Sequence, residues 1–231
     1  MGKIISFFKS AAIILLIIPL SVAQNRNAFG LCADERVSCD EKLIALTFDD
    51  GPHKKYTSEI LDILDEYSIK ATFFVVGVCA EKYPEIIARE IASGHEIGNH
   101  TYSHIHLRNA NGEQIAGEID KTEQLLMENN GYSTTLFRPP EGVCNDTVRA
   151  VAKNMNYSLV LWTVDTKDWV PSSCESIVNS VLSSADGGEI ILMHDYVVGK
   201  SNTPDALRII IPKLIEEGYR FVTVSELLKY S

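Results

Sequence analysis

The sequence predicts an α/β domain in which parallel strands are joined by helical crossovers. Two observations carry this. Apolar, β-rich runs alternate with stretches of helical periodicity along most of the chain, and that alternation places parallel strands under a cover of helices. The polar residues suited to chemistry also gather at one end of the runs. Asp49 and Asp50 end the first, His100 the third and Arg138 the fourth; Asp165 and Asp168 follow the fifth, and His194 ends the sixth. In parallel α/β folds the carboxyl edge of the sheet is where sites are built; polar residues without a shared task would scatter over both edges.

The strand candidates are 43–48, 71–76, 96–100, 136–138, 159–165, 189–194 and 220–223. Thr57 or Ser58 can cap a helix over SEILDILDEY, and EIIAREIAS runs to Gly94, a helix-stopping residue. GEQIAGEIDKTEQLLMEN carries Ile115, Ile119, Leu125 and Leu126 at helical spacing. Asn145 can cap DTVRAVAKNM, and PDALRIIIPKLIEE precedes Gly218, with Pro212 expected to kink or restart that helix. Seven such units fit either a closed barrel or an open doubly wound sheet, in one domain without repeats or linkers.

The N-terminal residues 1–23 read as an export signal rather than as part of this domain. Lys3 and Lys9 precede an uncharged apolar run, Ala11 to Leu20, and Ser21-Val22-Ala23 has the small-x-small pattern of a cleavage site. The run is short for a membrane span and carries Pro19, although a retained anchor is the rival reading. A polar lead follows, so the domain is placed at 43–231 after an extension over 24–42. Without residues 1–23 the chain has 19 basic and 31 acidic residues, a net charge of −12. That excludes nucleic acid and anionic lipid as partners, which need basic patches. The expectation is a secreted or wall-associated monomer with no membrane span once the signal is removed.

The five cysteines (32, 39, 79, 144 and 174) show no C-x-x-C spacing, which argues against a cysteine zinc site. Pairing of Cys32 with Cys39 and of Cys144 with Cys174 is one reading; free buried thiols are the other.

The most informative run is LTFDDGP, Leu46 to Pro52. Successive residues of a strand face opposite ways, so Asp49 and Asp50 can share a cavity only if the Gly-Pro turn swings them together. Two carboxylates in one cleft repel and call for a metal, an arginine or both. His100 and His104, four apart in HTYSH, would meet on one face of a helical turn and could join a carboxylate in a three-ligand site with room for water. Arg138, in RPP, offers a fixed cation that cannot lose its proton and can hold a carboxylate ionised and oriented. Asp168-Trp169 places an acid beside an aromatic, and His194, closing EIILMH, suits a general acid as well as a core histidine. His95 reads as structural, His106 as surface, and His53 lies near the cleft without a role.

Together TFDDGP, H-T-x-x-H, RPP-x-G, D-x-x-D-W and L-x-H, in that order over about 43–228, resemble the NodB-homology polysaccharide deacetylases, carbohydrate esterase family four. The resemblance implies a distorted (β/α) barrel of about seven parallel strands and metal-dependent removal of N- or O-acetyl groups from a polysaccharide. By the same resemblance Asp50, His100 and His104 bind one divalent metal, zinc first, with cobalt, nickel or manganese as alternatives. Asp49 is the base, Arg138 orients it, His194 is the acid, Asp168 tunes it, and Trp169 and Leu192 shape the acetyl pocket. One residue departs from the pattern: Glu141 stands where the family carries an aromatic after RPP. Its backbone N–H can still serve an oxyanion, while its carboxylate changes the charge and sugar contacts of the rim. An O-acetyl xylan esterase and a catalytically silent sugar-binding module are the alternatives on this scaffold. A two-carboxylate glycosidase fits adjacent aspartates with two histidines less well.

Overall fold

The computed structural model describes Val37 and residues 41–230; residues 1–23, expected to be an export signal, and the Cys32–Cys39 pairing lie outside the described residues. Eight strands form one parallel sheet: β1 (Leu43–Asp49), β2 (Thr72–Val75), β3 (Glu96–Asn99), β4 (Leu136–Phe137), β5 (Ser158–Leu159), β6 (Val164–Asp165), β7 (Glu189–His194) and β8 (Arg220–Phe221). Their order is β5-β4-β3-β2-β1-β7-β6, with β8 beside the first residues of β1. β1 is central and buried along its whole length, as a parallel strand covered on both faces must be.

Connectivity forces this sheet to curl. Laid flat, seven strands about 4.8 Å apart would span roughly 29 Å. Yet the two edges, β5 and β6, are joined by the short link 160–163, which reaches at most roughly 18 Å from Leu159 to Val164. The edges must therefore approach one another, which gives the distorted barrel. The link runs across the seam. A single strand over 159–165 was expected. It is broken because the carbonyls of Val160 and Leu161 accept from Arg138 Nε (3.3 Å) and Nη2 (2.9 Å).

Among the described residues eight α-helices cover the barrel: α1 (Tyr56–Glu66), α2 (Gly77–Lys82), α3 (Pro84–Ala92), α4 (Gly112–Asn130), α5 (Asp146–Asn154), α6 (Cys174–Leu182), α7 (Thr203–Glu216) and α8 (Val224–Leu227). Asn145 caps α5 as expected, accepting from Val148 N–H, and Ser173 caps α6, a helix the periodicity did not reveal. α1 lacks the expected cap. It starts at Tyr56 without a side-chain cap, because the Thr57 hydroxyl donates to Asp195 instead. α7 passes through Pro212 as one helix rather than restarting. No described helix is long and apolar enough to cross a membrane. Val37, ahead of β1, is buried in the core with Leu43, Ala45 and Ile190, and its N–H donates to Gly188 O (3.2 Å).

Glu90 is an anomaly in this core. It is fully buried on α3, and neither carboxyl oxygen has a hydrogen-bond partner among the described residues. Burial, with the charge of Asp195, pushes its pKa well above the ordinary 4.5. The fold therefore keeps Glu90 protonated where the unfolded chain ionises, and stability falls as pH rises above the unfolded value, by about 1.4 kcal/mol per unit until the folded group also ionises. Glu90→Gln removes this loss. Thermal denaturation should show the variant gaining more at pH 8 than at pH 5; a difference independent of pH would contradict the assignment.

Candidate active site

The paired aspartates leave the end of β1 in different backbone states. Asp49 closes the strand, whereas Asp50 has φ 76°, in the left-handed region. That single rotation solves the problem of neighbouring residues facing opposite ways. Asp49 Oδ2 and Asp50 Oδ1 both approach His100 Nε2, at 3.8 and 3.5 Å. A non-glycine residue in such a conformation costs on the order of 1–3 kcal/mol and persists only where its surroundings impose it. Seven non-glycine residues have positive φ among the described residues, and five of them (Asp50, Thr101, His104, Glu141 and Lys167) lie in loops at this edge.

His100 and His104 do meet, but not on a helical turn. The segment between them is irregular, with Thr101 at φ 67° and His104 at φ 54°. These reversals bring the rings to 5.1 Å between centroids. The loop is pinned from three sides. Asn99 Oδ1 accepts from Thr101 N–H (2.9 Å); Thr101 O and Tyr102 O accept from the first N–H groups of α2 (3.0 and 2.8 Å). On the third side Glu118 of α4 accepts from Ser103 N–H (2.7 Å).

His100 Nδ1 lies 2.7 Å from Arg138 O. A carbonyl only accepts, so Nδ1 carries the proton and Nε2 faces the carboxylates. Burial pulls the His100 pKa down, but Asp49 and Asp50 outweigh it and raise it. The Asp50 carboxyl is lowered: burial pushes it up, and the close approach and charge of His100, then the charges of His194 and His104, pull it further down. His104 Nε2 is 3.3 Å from the same Asp50 Oδ1, which is buried without a hydrogen-bond partner among the described residues. Asp50, His100 and His104 thus each offer one ligand atom within 4.8 Å of the others. An orphaned carboxylate oxygen facing two imidazole nitrogens fits a divalent cation, and two histidines with one carboxylate suit zinc and its first-row neighbours. A metal and a proton compete for the same nitrogens.

Arg138 and Asp49 form the buried ion pair of the site. Nη1 donates to Asp49 Oδ1 (2.8 Å) and to Thr47 Oγ1 (2.7 Å), which leaves Asp49 Oδ2 directed at the ligand set. Across the cavity, His194 Nδ1 is 2.8 Å from Asp168 Oδ1, and Asp168 Oδ2 accepts from His194 N–H (2.8 Å) and Thr203 Oγ1 (2.6 Å). Burial lowers the His194 pKa, but the hydrogen bond and charge of Asp168, then Asp49 and Asp50, carry it up to about 9. Asp49 and His194 are register partners on β1 and β7.

At the rim, Trp169 is 56% exposed beside Asp168, whereas Leu192 is buried on β7. Glu141 pairs with His106 (Nδ1–Oε1, 2.6 Å), a surface histidine as expected but not an idle one. Cys144 and Cys174 are not joined by a disulfide. Asp165 caps the next turn, accepting from Lys167 N–H (2.8 Å). His95 is structural: its Nδ1 accepts from Ala71 N–H (3.2 Å), and burial, with the charge of Lys70, lowers it to about 4. His53 stacks on Tyr56 (5.1 Å) and meets the tilted ring of Tyr196 (5.3 Å). Asp195 and Thr203 were missed. Asp195, an acid directly after His194 at a strand's end, carries the same sequence signal as Asp49 and Asp50.

A parallel barrel whose carboxyl edge gathers an Asp-His-His cluster, a carboxylate held by arginine and a histidine held by aspartate carries groups suited to hydrolysis. The sequence matches the polysaccharide deacetylase family over residues 36–160, and the chain belongs to that family. It is 44% identical over 193 residues to a Bacillus cereus peptidoglycan-N-acetylglucosamine deacetylase, covering 83% of this chain and 90% of the relative. The crystal structure of the peptidoglycan N-acetylglucosamine deacetylase Bc1960 superposes with a TM-score of 0.81 at 39% identity, covering 87% of this chain and 92% of that one. A family 4 acetyl xylan esterase from Clostridium thermocellum, solved with a cobalt ion, gives 0.76 at 40% identity, covering 81% and 91%.

Asp168→Asn should lower the His194 pKa from about 9 toward the ordinary 6.5, since an amide keeps the side chain's size and one acceptor oxygen without the charge. Titrating the imidazole by NMR in the metal-free protein checks this; an unmoved midpoint would show that Asp168 does not set it.

Proposed function

We propose that this chain is an exported, metal-dependent N-deacetylase of N-acetylglucosamine units in cell-wall glycan, with peptidoglycan as its substrate. The observation that carries the metal dependence is the buried, unpartnered Asp50 Oδ1 facing His100 and His104 beside a separately held Asp49. The substrate rests on the names of its relatives, and the export on the signal-like residues 1–23.

Asp50, His100 and His104 would hold the divalent ion, zinc by donor type; bound there, it would polarise water and the acetyl carbonyl. Asp49 Oδ2, left free by the Arg138 bond to Oδ1, takes the proton of the attacking water. The new carbon–oxygen bond forms as the charge on the carbonyl oxygen develops toward the backbone N–H of Glu141. As the carbon–nitrogen bond breaks, His194 Nε2 delivers a proton to the departing amine, Nδ1 being engaged by Asp168. Acetate and the free amino sugar result. Trp169 offers its exposed face to a sugar ring, and Leu192 lines the acetyl pocket.

An O-acetyl xylan esterase is the second reading, favoured by the Clostridium thermocellum neighbour. Acetate release across peptidoglycan, chitin oligomers and acetylated xylan separates the two. The expected result is release from the N-acetyl substrates, abolished by chelation, restored by zinc or cobalt and reduced at least about 10³-fold in Asp49→Asn. Glu141→Tyr should change the ranking among the polymers. Activity that survives chelation, or that is confined to xylan, would overturn the proposal.

A further inference from the structure

Asp195 is 1% exposed and lies immediately behind the paired aspartates, yet neither the acid, the base nor the ligand trio needs it for its chemistry. Its bonds all run to one short stretch of chain. Its N–H donates to Asp49 O (3.2 Å), and its Oδ1 accepts from Gly51 N–H (2.9 Å). These two bonds fall on either side of Asp50, the residue held at φ 76°. The other oxygen, Oδ2, accepts from Thr57 Oγ1 (2.6 Å), and that hydroxyl in turn accepts from His53 N–H (2.6 Å), where the chain leaves the turn. On the opposite side Gly51 O accepts from Val76 N–H (2.9 Å), which ties the turn to the end of β2.

We propose that Asp195 is a positioning residue for the metal ligand Asp50, clamping the backbone on both sides of it and so imposing the rotation that turns both aspartates into one cavity. The inference rests on the metal centre proposed above. Three further features support it. The fit is tight: a Cβ at Gly51 would lie 2.0 Å from Asp195 Oδ2, so the turn and the carboxylate are shaped to each other. The two donors, Gly51 N–H and Thr57 O–H, satisfy one oxygen each, so neither oxygen of this buried side chain is left without a partner. Asp195 also puts a second buried acid near Asp50, which repulsion would disfavour if packing were its sole purpose. A ligand fixed by surrounding hydrogen bonds binds metal more tightly than one free to rotate away, and such supporting partners are typically worth about 10–100-fold in affinity.

Titration of the purified, metal-free full-length protein with Co2+, followed by calorimetry and by the visible absorption of the bound ion, tests the clamp without reference to activity. Wild-type protein should bind one Co2+. Asp195→Ala should bind it about 10–100-fold more weakly and with altered visible bands, because the ligand geometry relaxes. A folded Asp195→Ala protein with wild-type affinity and spectrum would overturn the proposal. If Asp195→Ala does not fold, Thr57→Val decides: it removes the donor to Oδ2 and should weaken binding by about 3–10-fold, and unchanged binding would overturn the clamp. Wild-type protein that takes up no Co2+ would overturn the metal centre itself, and the clamp with it.

Discussion

A guanidinium buried inside the barrel is the constraint on which both fold and site depend. Arg138 is fully inaccessible to solvent, and a buried cation persists only if its charge and donors are matched. The matches come from separate parts of the barrel. Thr47 and Asp49 belong to β1, while the carbonyls of Val160 and Leu161 belong to the link across the seam. Phe74 of β2 lies 4.0 Å from the guanidinium carbon, beneath its plane of charge. One side chain therefore satisfies the backbone where strand pairing fails and fixes the carboxylate that would act as base. Removing it would expose Asp49 and two carbonyls to a dry interior, a change of the kind that costs about 3–5 kcal/mol.

Around that pair the edge of the barrel divides its labour by geometry. Asp49 has one oxygen held by arginine and one open, and His194 has one nitrogen held by Asp168 and one open. Each open atom can exchange a proton while its partner fixes the orientation. The Asp50-His100-His104 cluster sits on loops whose backbone is strained at Asp50, Thr101 and His104. Strain of this kind survives because α2, α4 and Asp195 hold the loops by direct hydrogen bonds. Rigidity at the site is thus imported from neighbouring parts of the fold.

Much of this was legible in the sequence because parallel strands are short, apolar and end in the residues that do chemistry. Six of the seven strand positions appear where the apolar runs lie, and Asp49, Asp50, His100, Arg138, Asp168 and His194 converge at the carboxyl edge. What was not legible depended on long-range partners. The run over 159–165 has the composition of one strand, and only Arg138 explains why it divides. The spacing of His100 and His104 fits a helix, yet left-handed residues with loop anchors on α2 and α4 bring them together. Thr57 looked like a cap, but its hydroxyl is engaged by a residue 138 positions away.

The central claim is that adjacent aspartates hold separate posts, Asp50 as ligand and Asp49 as base. The most direct test is the metal stoichiometry and affinity of Asp49→Asn and Asp50→Asn, measured on the same preparation by elemental analysis and calorimetry. Asp49→Asn should retain one divalent ion with affinity within about tenfold of wild type, and Asp50→Asn should lose it, since removing a ligand from a three-residue site costs far more than changing a neighbour. Equal loss in both variants, or loss confined to Asp49→Asn, would contradict the division.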